Sequence, residues 1–162
     1  MGAFCPIPGQ GLQVAPEQVP LPSQALSPDD DVGVAVLAGG CFWCTEAVFA
    51  ALDGVMSVMP GYVGGEAATA NYDAVCSGLS GHAEAIRISY QPQRVGFGAL
   101  LRVFFTVAHD PTQRNRQGHD VGTQYRSAIF PVDARQQAAA AAYIAELDAA
   151  GVFAAPIATT LE

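Results

Sequence analysis

From Val32 to Ala38, "VGVAVLA" is an apolar run closed by Gly39 and Gly40. Its length and its valines predict a buried strand. The period then changes. In "FWCTEAVFAALDG", Val48, Ala51 and Leu52 recur at helical spacing, and Gly54 predicts the stop. Val55 to Tyr62, broken by Pro60 and Gly61, reads as an edge strand. In "AEAIRISY", Glu84, Ile86, Ile88 and Tyr90 fall on one parity, with Ala85, Arg87 and Ser89 on the other, which predicts a half-buried strand. "GFGALLRVFFTVAHD" sets Phe97, Leu100, Leu101, Phe104 and Ala108 on one helical face. "TQYRSAIFPV" predicts a strand ended by Pro131. Asp133 is placed to cap an Ala-rich helix from Ala134 to about Ala150, with Gly151 just beyond it. "VFAAPIATTLE" begins a last strand. The Gly- and Ala-rich "VGGEAATANYDAVCSGLSGH" reads as a loop, and the polar "HDPTQRNRQGHDVGTQYRS" is turn-rich and leads into the strand that starts at Thr123.

Strand, helix, one or two strands, helix, strand, helix, strand is the order of an α/β or α+β sandwich with a mixed sheet. Residues 1–31 stand apart. They hold Pro6, Pro8, Pro16, Pro20, Pro22 and Pro28, six of the chain's 11 prolines, and are expected to form an extended arm. Residues 32–162 are expected to form the one folded domain.

Of the 162 residues, 51% are hydrophobic and 14% charged, enough apolar material for one core. No run approaches the roughly 20 apolar residues of a membrane span, and no secretory leader is visible. A cytoplasmic protein is expected, in a compartment where thiols stay reduced unless they cycle. The net charge is −8, with Glu17, Asp29, Asp30 and Asp31 all in the arm. All seven basic residues are Arg and they form no cluster, which argues against nucleic-acid binding.

The chemistry concentrates in "GGCFWCTE". A strand, two glycines and a helix start put Cys41 where backbone N–H groups and the helix dipole favour an anion. Both effects favour the thiolate, the nucleophilic form. Cys44 lies three residues on, about one turn away. Plain packing of Cys44 as a small hydrophobe is the alternative. A structural zinc site needs four ligands, and only Cys76, Cys5 and three scattered histidines remain. Phe42 and Trp43 cannot share one buried face, since adjacent helical residues diverge by about 100°. An apolar cup beside the thiol would use both. Glu84 shares its parity with Ile86, Ile88 and Tyr90, so it either faces an apolar wall and holds its proton near neutrality or starts the strand in solvent. Tyr72 and Tyr125 are candidate donors to the same pocket or ordinary half-buried tyrosines. His109 and His119 have no partner at ligand spacing and read as structural or surface residues.

"GGCFWCTE", "GYVGG", "YDAVCSGLSGHAEAI" and "YQPQRVGFGALLRVFFTVAHDPTQRNRQGHDVGTQYRSAIF" together resemble the A-type peptide-methionine sulfoxide reductases, in its Cys-Phe-Trp-Cys form. The similarity runs in order from about Val34 to Pro131. It implies a two-layer fold with a ferredoxin-like core, and reduction of the S epimer of methionine sulfoxide, free or in proteins. By family position Cys41 is the nucleophile and Glu84 the acid that protonates the departing oxygen. Tyr72 and Tyr125 hydrogen-bond that oxygen, Phe42 and Trp43 clamp the substrate methyl, and Asp120 orients the polar network. Cys44 would resolve a Cys41 sulfenic acid as a disulfide, and thioredoxin, or dithiothreitol in vitro, would reduce it. No bound metal or organic cofactor and no oligomer is implied. Many members carry Gly at the position of Cys44 and keep resolving cysteines in a C-terminal tail. Here no cysteine follows Cys76, so recycling is expected to rest on Cys44. The "AE-YHQ"-like segment usual in the family is also absent before Glu162, which reads as a C-terminally shortened domain. Two other readings of the motif are a thioredoxin-like disulfide oxidoreductase and an inactive thiol- or metal-binding module. Both leave the downstream motifs unexplained.

Overall fold

The structure is a computed structural model and describes residues 14–24, 26 and 31–162. The rest of the expected N-terminal arm, Cys5 included, lies outside the described residues.

Strand β1 (Gly33–Gly39) is the apolar run read from the sequence. It leads through a Gly turn to α1 (Phe42–Ala50). Gly54, at φ +90°, makes the turn into β2 (Val55–Val63). After α2 (Tyr72–Cys76) comes β3 (Ala83–Tyr90), then α3 (Phe97–Val103), which continues as one π-helical turn over Phe104–Ala108. A small hairpin follows, β4 (Arg116–Gln117) and β5 (Asp120–Val121), and then β6 (Ser127–Ile129). Helix α4 (Ala134–Ala150) has Asp133 as its cap, the side chain accepting from the Gln136 N–H at 2.7 Å. It stops at Gly151 in the left-handed conformation, φ 63°, as glycine allows. Strand β7 (Thr160–Leu161) closes the sheet.

The main sheet runs β2-β3-β1-β6-β7. The first four strands pair antiparallel, and β7 lies parallel to β6. With α1 after β1 and α3 after β3, this is the β-α-β-β-α-β ferredoxin-like arrangement, extended by one strand. One face buries Ala35, Leu37, Ile86, Ile88 and Ile129 against Phe49 of α1, Leu100 and Leu101 of α3, and Tyr143 and Leu147 of α4. The expected mixed-sheet α/β sandwich is therefore the one formed.

Three details differ from the sequence reading. Residues 63–82, expected as loop, contain α2, capped by Asn71, whose Oδ1 accepts from the Ala74 N–H at 3.0 Å. Tyr125, expected on a strand, closes a 3-10 turn (Thr123–Tyr125), because Gly122 at φ 142° breaks the extended chain just before it. Strand β3 is buried on both faces except at Arg87, which is exposed, and Ser89, which is half-buried, since Ala83 and Ala85 pack in a second cluster with Ala38, Ala128 and Phe130. Within the proline-rich segment, Val14 and Val19 enter the main core. The Pro16 carbonyl accepts from the Arg102 guanidinium at 2.9 Å, and the Pro20 carbonyl from the Tyr143 hydroxyl at 2.8 Å.

Candidate active site

The end of β1 and the start of α1 leave Cys41 at the cap position, with φ −55° and ψ 119°. Its carbonyl accepts from the N–H groups of Cys44 at 3.1 Å and Thr45 at 3.3 Å, so the first helical turn hangs from it. Gly40 takes φ +87°. A Cβ there would lie 2.5 Å from Cγ of Gln117, and one at Gly39 would lie 3.0 Å from Cγ of His109. The two glycines thus let the strand turn into the helix while Gln117 and His109 close against the turn. Gln117 is itself held: its amide accepts from the Asp110 N–H at 3.0 Å and donates to the Asp110 carbonyl at 2.6 Å.

Glu84, the second residue of β3, reaches this turn from the central sheet. Its Oε2 accepts from the N–H of Phe42 at 3.1 Å. That N–H is the first orphan donor of α1, so one donor expected to favour a thiolate at Cys41 serves the carboxyl instead. Glu84 is only 8% exposed. Burial pushes its pKa above the ordinary carboxylate value; the Phe42 N–H works the other way, and the charge of Asp120 adds to the rise. The sequence left open whether Glu84 faced an apolar wall or solvent, and it faces inward.

Tyr125 lies within electrostatic reach of Glu84, Asp120, Cys76 and Cys41. Burial, then those charges, push its phenol up to about 12, so it remains a hydrogen-bond donor at neutral pH. Tyr72 opens α2 and is 69% exposed. The Cys76 side chain beside it, as a hydrogen-bonding neighbour, is the main reason its pKa is raised. The structure therefore links Tyr72 to the site through Cys76. Phe42 is half-buried and Trp43 is 72% exposed; their ring centroids are 6.4 Å apart, tilted by 37°. Cys41 is a free thiol, half-buried, and Cys44 is half-buried one turn along.

The sequence did not disclose two neighbours of the site. Tyr62 pairs in register with Glu84 across β2 and β3 and packs on Phe42 with centroids 5.6 Å apart. Cys76, which the sequence offered only as a leftover zinc ligand, lies near Tyr62, Tyr72 and Tyr125. Its spacing of four from Tyr72 was the available signal, hidden by reading that segment as loop. His109 is structural, as expected: Nδ1–H donates to the Phe104 carbonyl at 2.8 Å, and Nε2 accepts from the Ser127 hydroxyl at 2.7 Å. Ser127 in turn bonds the Thr159 hydroxyl at 2.7 Å. His119 is exposed. Among the described residues no group of three or more His, Cys, Asp or Glu side chains is placed to hold a metal ion.

A thiol that shares a helix start with a carboxyl inclined to keep its proton suits an oxidoreductase working through its own cysteine. Comparison with known proteins narrows that class. Residues 33–162 match the family described as peptide methionine sulfoxide reductase. A protein of Chromobacterium violaceum named peptide methionine sulfoxide reductase MsrA is 56% identical over 128 residues, which are 79% of this chain and 72% of that protein. Among solved structures, Mxr1 from Saccharomyces cerevisiae in reduced form is similar with a TM-score of 0.68 at 31% identity, over 85% of this chain and 79% of that one. Mxr1 in complex with Trx2 gives 0.58 at 25% identity, over 86% and 81%. This chain belongs to the peptide methionine sulfoxide reductase family, among its A-type members. It is an oxidoreductase of methionine sulfoxide.

Proposed function

We propose that the chain reduces the S epimer of methionine sulfoxide, free or in proteins, through Cys41. The Cys41 sulfur attacks the sulfoxide sulfur while Glu84 gives its proton to the sulfoxide oxygen. In the resulting adduct the protonated oxygen passes from the substrate sulfur to the Cys41 sulfur: the substrate sulfur–oxygen bond and the new sulfur–sulfur bond both break, methionine leaves as the thioether with the electron pair, and Cys41 is left as a sulfenic acid. The Cys44 thiol attacks that sulfur, expels water and forms a Cys41–Cys44 disulfide. A dithiol reductant, thioredoxin in the cell, returns both thiols by exchange. In sum the sulfoxide is reduced, two thiols are oxidised and the oxygen leaves as water.

The observation that carries this reading is the buried Glu84 carboxyl held on the Phe42 N–H, one residue from the nucleophile. A sulfoxide oxygen is a poor leaving group until protonated, and a positioned acid contributes about 10²–10⁴-fold. In this reading Tyr125 and Tyr72 donate hydrogen bonds to the same oxygen. Asp120 keeps the Glu84 proton in place by repulsion, and Phe42 and Trp43 enclose the methyl group. The yeast relative's complex with Trx2 supports thioredoxin as the partner. The reaction needs no bound cofactor, and a reducing cytoplasm and a monomer suit it. No helix among the described residues is long and apolar enough to cross a membrane. The catalytic unit is residues 32–162, and Val14 and Val19 of the proline-rich segment pack into its core.

Turnover of each epimer with dithiothreitol tests the proposal. The wild type should consume the S epimer and spare the R, and Cys41→Ser should be inactive. Mass spectrometry after one turnover should find Cys41 linked to Cys44. Undiminished activity in Cys41→Ser would sink the assignment, and a Cys41–Cys76 link would sink the proposed resolver.

A further inference from the structure

Four rings form a chain of contacts that starts from the residues next to Cys41 in sequence. Trp43 and Phe42 are 6.4 Å apart, Phe42 and Tyr62 5.6 Å, and Tyr62 and His82 6.5 Å, centroid to centroid. The series begins at a ring largely in solvent and ends at a buried one. Its inner end is fixed. His82 Nδ1 accepts from the Gly65 N–H at 3.2 Å, so Nε2 carries the proton and donates to the Glu66 carbonyl at 2.9 Å. With both nitrogens engaged the imidazole cannot turn. Tyr62 is fixed by its backbone, through the ladder that pairs it with Glu84. Phe42 sits on the first residue of a helix, and its phenyl ring, which makes no hydrogen bonds, is oriented by packing.

We infer that Tyr62, braced by His82, is a positioning residue that sets the Phe42 ring and thereby how strictly the pocket admits a methyl group rather than a larger alkyl group. The inference rests on the reading of Phe42 and Trp43 as the enclosure of the substrate methyl. The contribution comes from the Tyr62 ring face, since the ring is what meets both Phe42 and His82. Its hydroxyl is a neutral neighbour of Glu84: burial first, then the charges of Glu84 and Cys76, hold the phenol protonated.

The test compares the S-sulfoxides of methionine and ethionine as substrates of the full chain, with dithiothreitol as reductant. One methylene in an apolar pocket is worth about 10–200-fold, so the wild type should prefer the methyl compound by at least about tenfold. Tyr62→Ala should raise KM for methionine sulfoxide about threefold to tenfold, the range for loss of one aromatic pair, with kcat within about twofold. The methyl preference should shrink by a similar factor. Tyr62→Phe should restore both. Should Tyr62→Ala lose its circular dichroism signature of folding, Tyr62→Leu gives the ring-free comparison at closer volume. Unchanged KM and preference in the ring-free variant would overturn the inference. So would a Tyr62→Phe enzyme as impaired as the ring-free one, because the hydroxyl would then be responsible. A wild type that fails to turn over either sulfoxide would instead overturn the proposed function itself.

Discussion

His109 gives this protein an acid sensitivity that can be calculated. Desolvation lowers its pKa from 6.5 to about 4, against the opposing pull of the Phe104 carbonyl and of Asp110. In the unfolded chain the imidazole takes up its proton near 6.5, but in the folded chain only near 4. Between those values the unfolded state binds more protons, so stability falls as pH falls. The contribution is fully present above about pH 6.5 and gone below about pH 4. A shift of this size corresponds to roughly 3 kcal/mol in all, of which about 2 kcal/mol is lost between pH 7 and pH 5. Glu84 works in the opposite sense. Its folded pKa is raised, so its contribution is greatest in acid and declines as pH rises. The two are separated by His109→Gln. A glutamine can still donate to Phe104 and accept from Ser127, but it cannot take a proton. It should cost about 1 kcal/mol at pH 7 through the lost stacking on Phe104, whose ring centroid is 4.2 Å from that of His109. At pH 5 that deficit should vanish or reverse, with every carboxylate common to both proteins. Urea unfolding followed by far-ultraviolet circular dichroism measures the gap; Trp43 is too exposed to report on unfolding. A gap that is the same at both pH values, within about 0.5 kcal/mol, would refute the argument that burial holds His109 neutral.

Two further outcomes follow from the site. Because the acid must carry its proton, the single-turnover rate of Cys41 oxidation by methionine sulfoxide should fall as pH rises through the elevated Glu84 pKa; Glu84→Gln should be slower by about 10²-fold or more, with that limb of the profile flat. Gly40→Ala meets both a left-handed backbone angle and the Gln117 side chain at 2.5 Å, so thermal unfolding should show a loss of about 1–3 kcal/mol, and turnover should drop with it because the turn carries Cys41.

How far the sequence could be read depended on whether the signal was local. The run into Gly39-Gly40, the alternation of "AEAIRISY", and the Asp133 and Gly151 brackets of the last helix each announce themselves within a few residues, and each stands where expected. The five-residue α2 carries little apolar periodicity, so its Asn71 cap was the only local sign, and a Gly-rich context masked it. Tyr125 sits in a stretch whose β-branched and aromatic residues favour a strand, but the backbone angle at Gly122 decides otherwise. Tyr62 was out of reach for a different reason. Its place beside Glu84 depends on strand register, which no residue near either position encodes. For the same reason the inward direction of Glu84 needed the other strands, because alternation alone gives two faces without saying which is covered.

The hydrogen bond from the Phe42 amide to Glu84 spans 42 residues of sequence and lies beside the proposed nucleophile. It offers a spectroscopic handle. In a nitrogen-15 labelled sample, the Phe42 amide resonance should move as the carboxyl gains or loses its proton. No substitution at Glu84, Cys41 or the substrate pocket is needed to read it. The titration of a buried acid could then be followed from a backbone atom, in the native enzyme, before and after each thiol is oxidised.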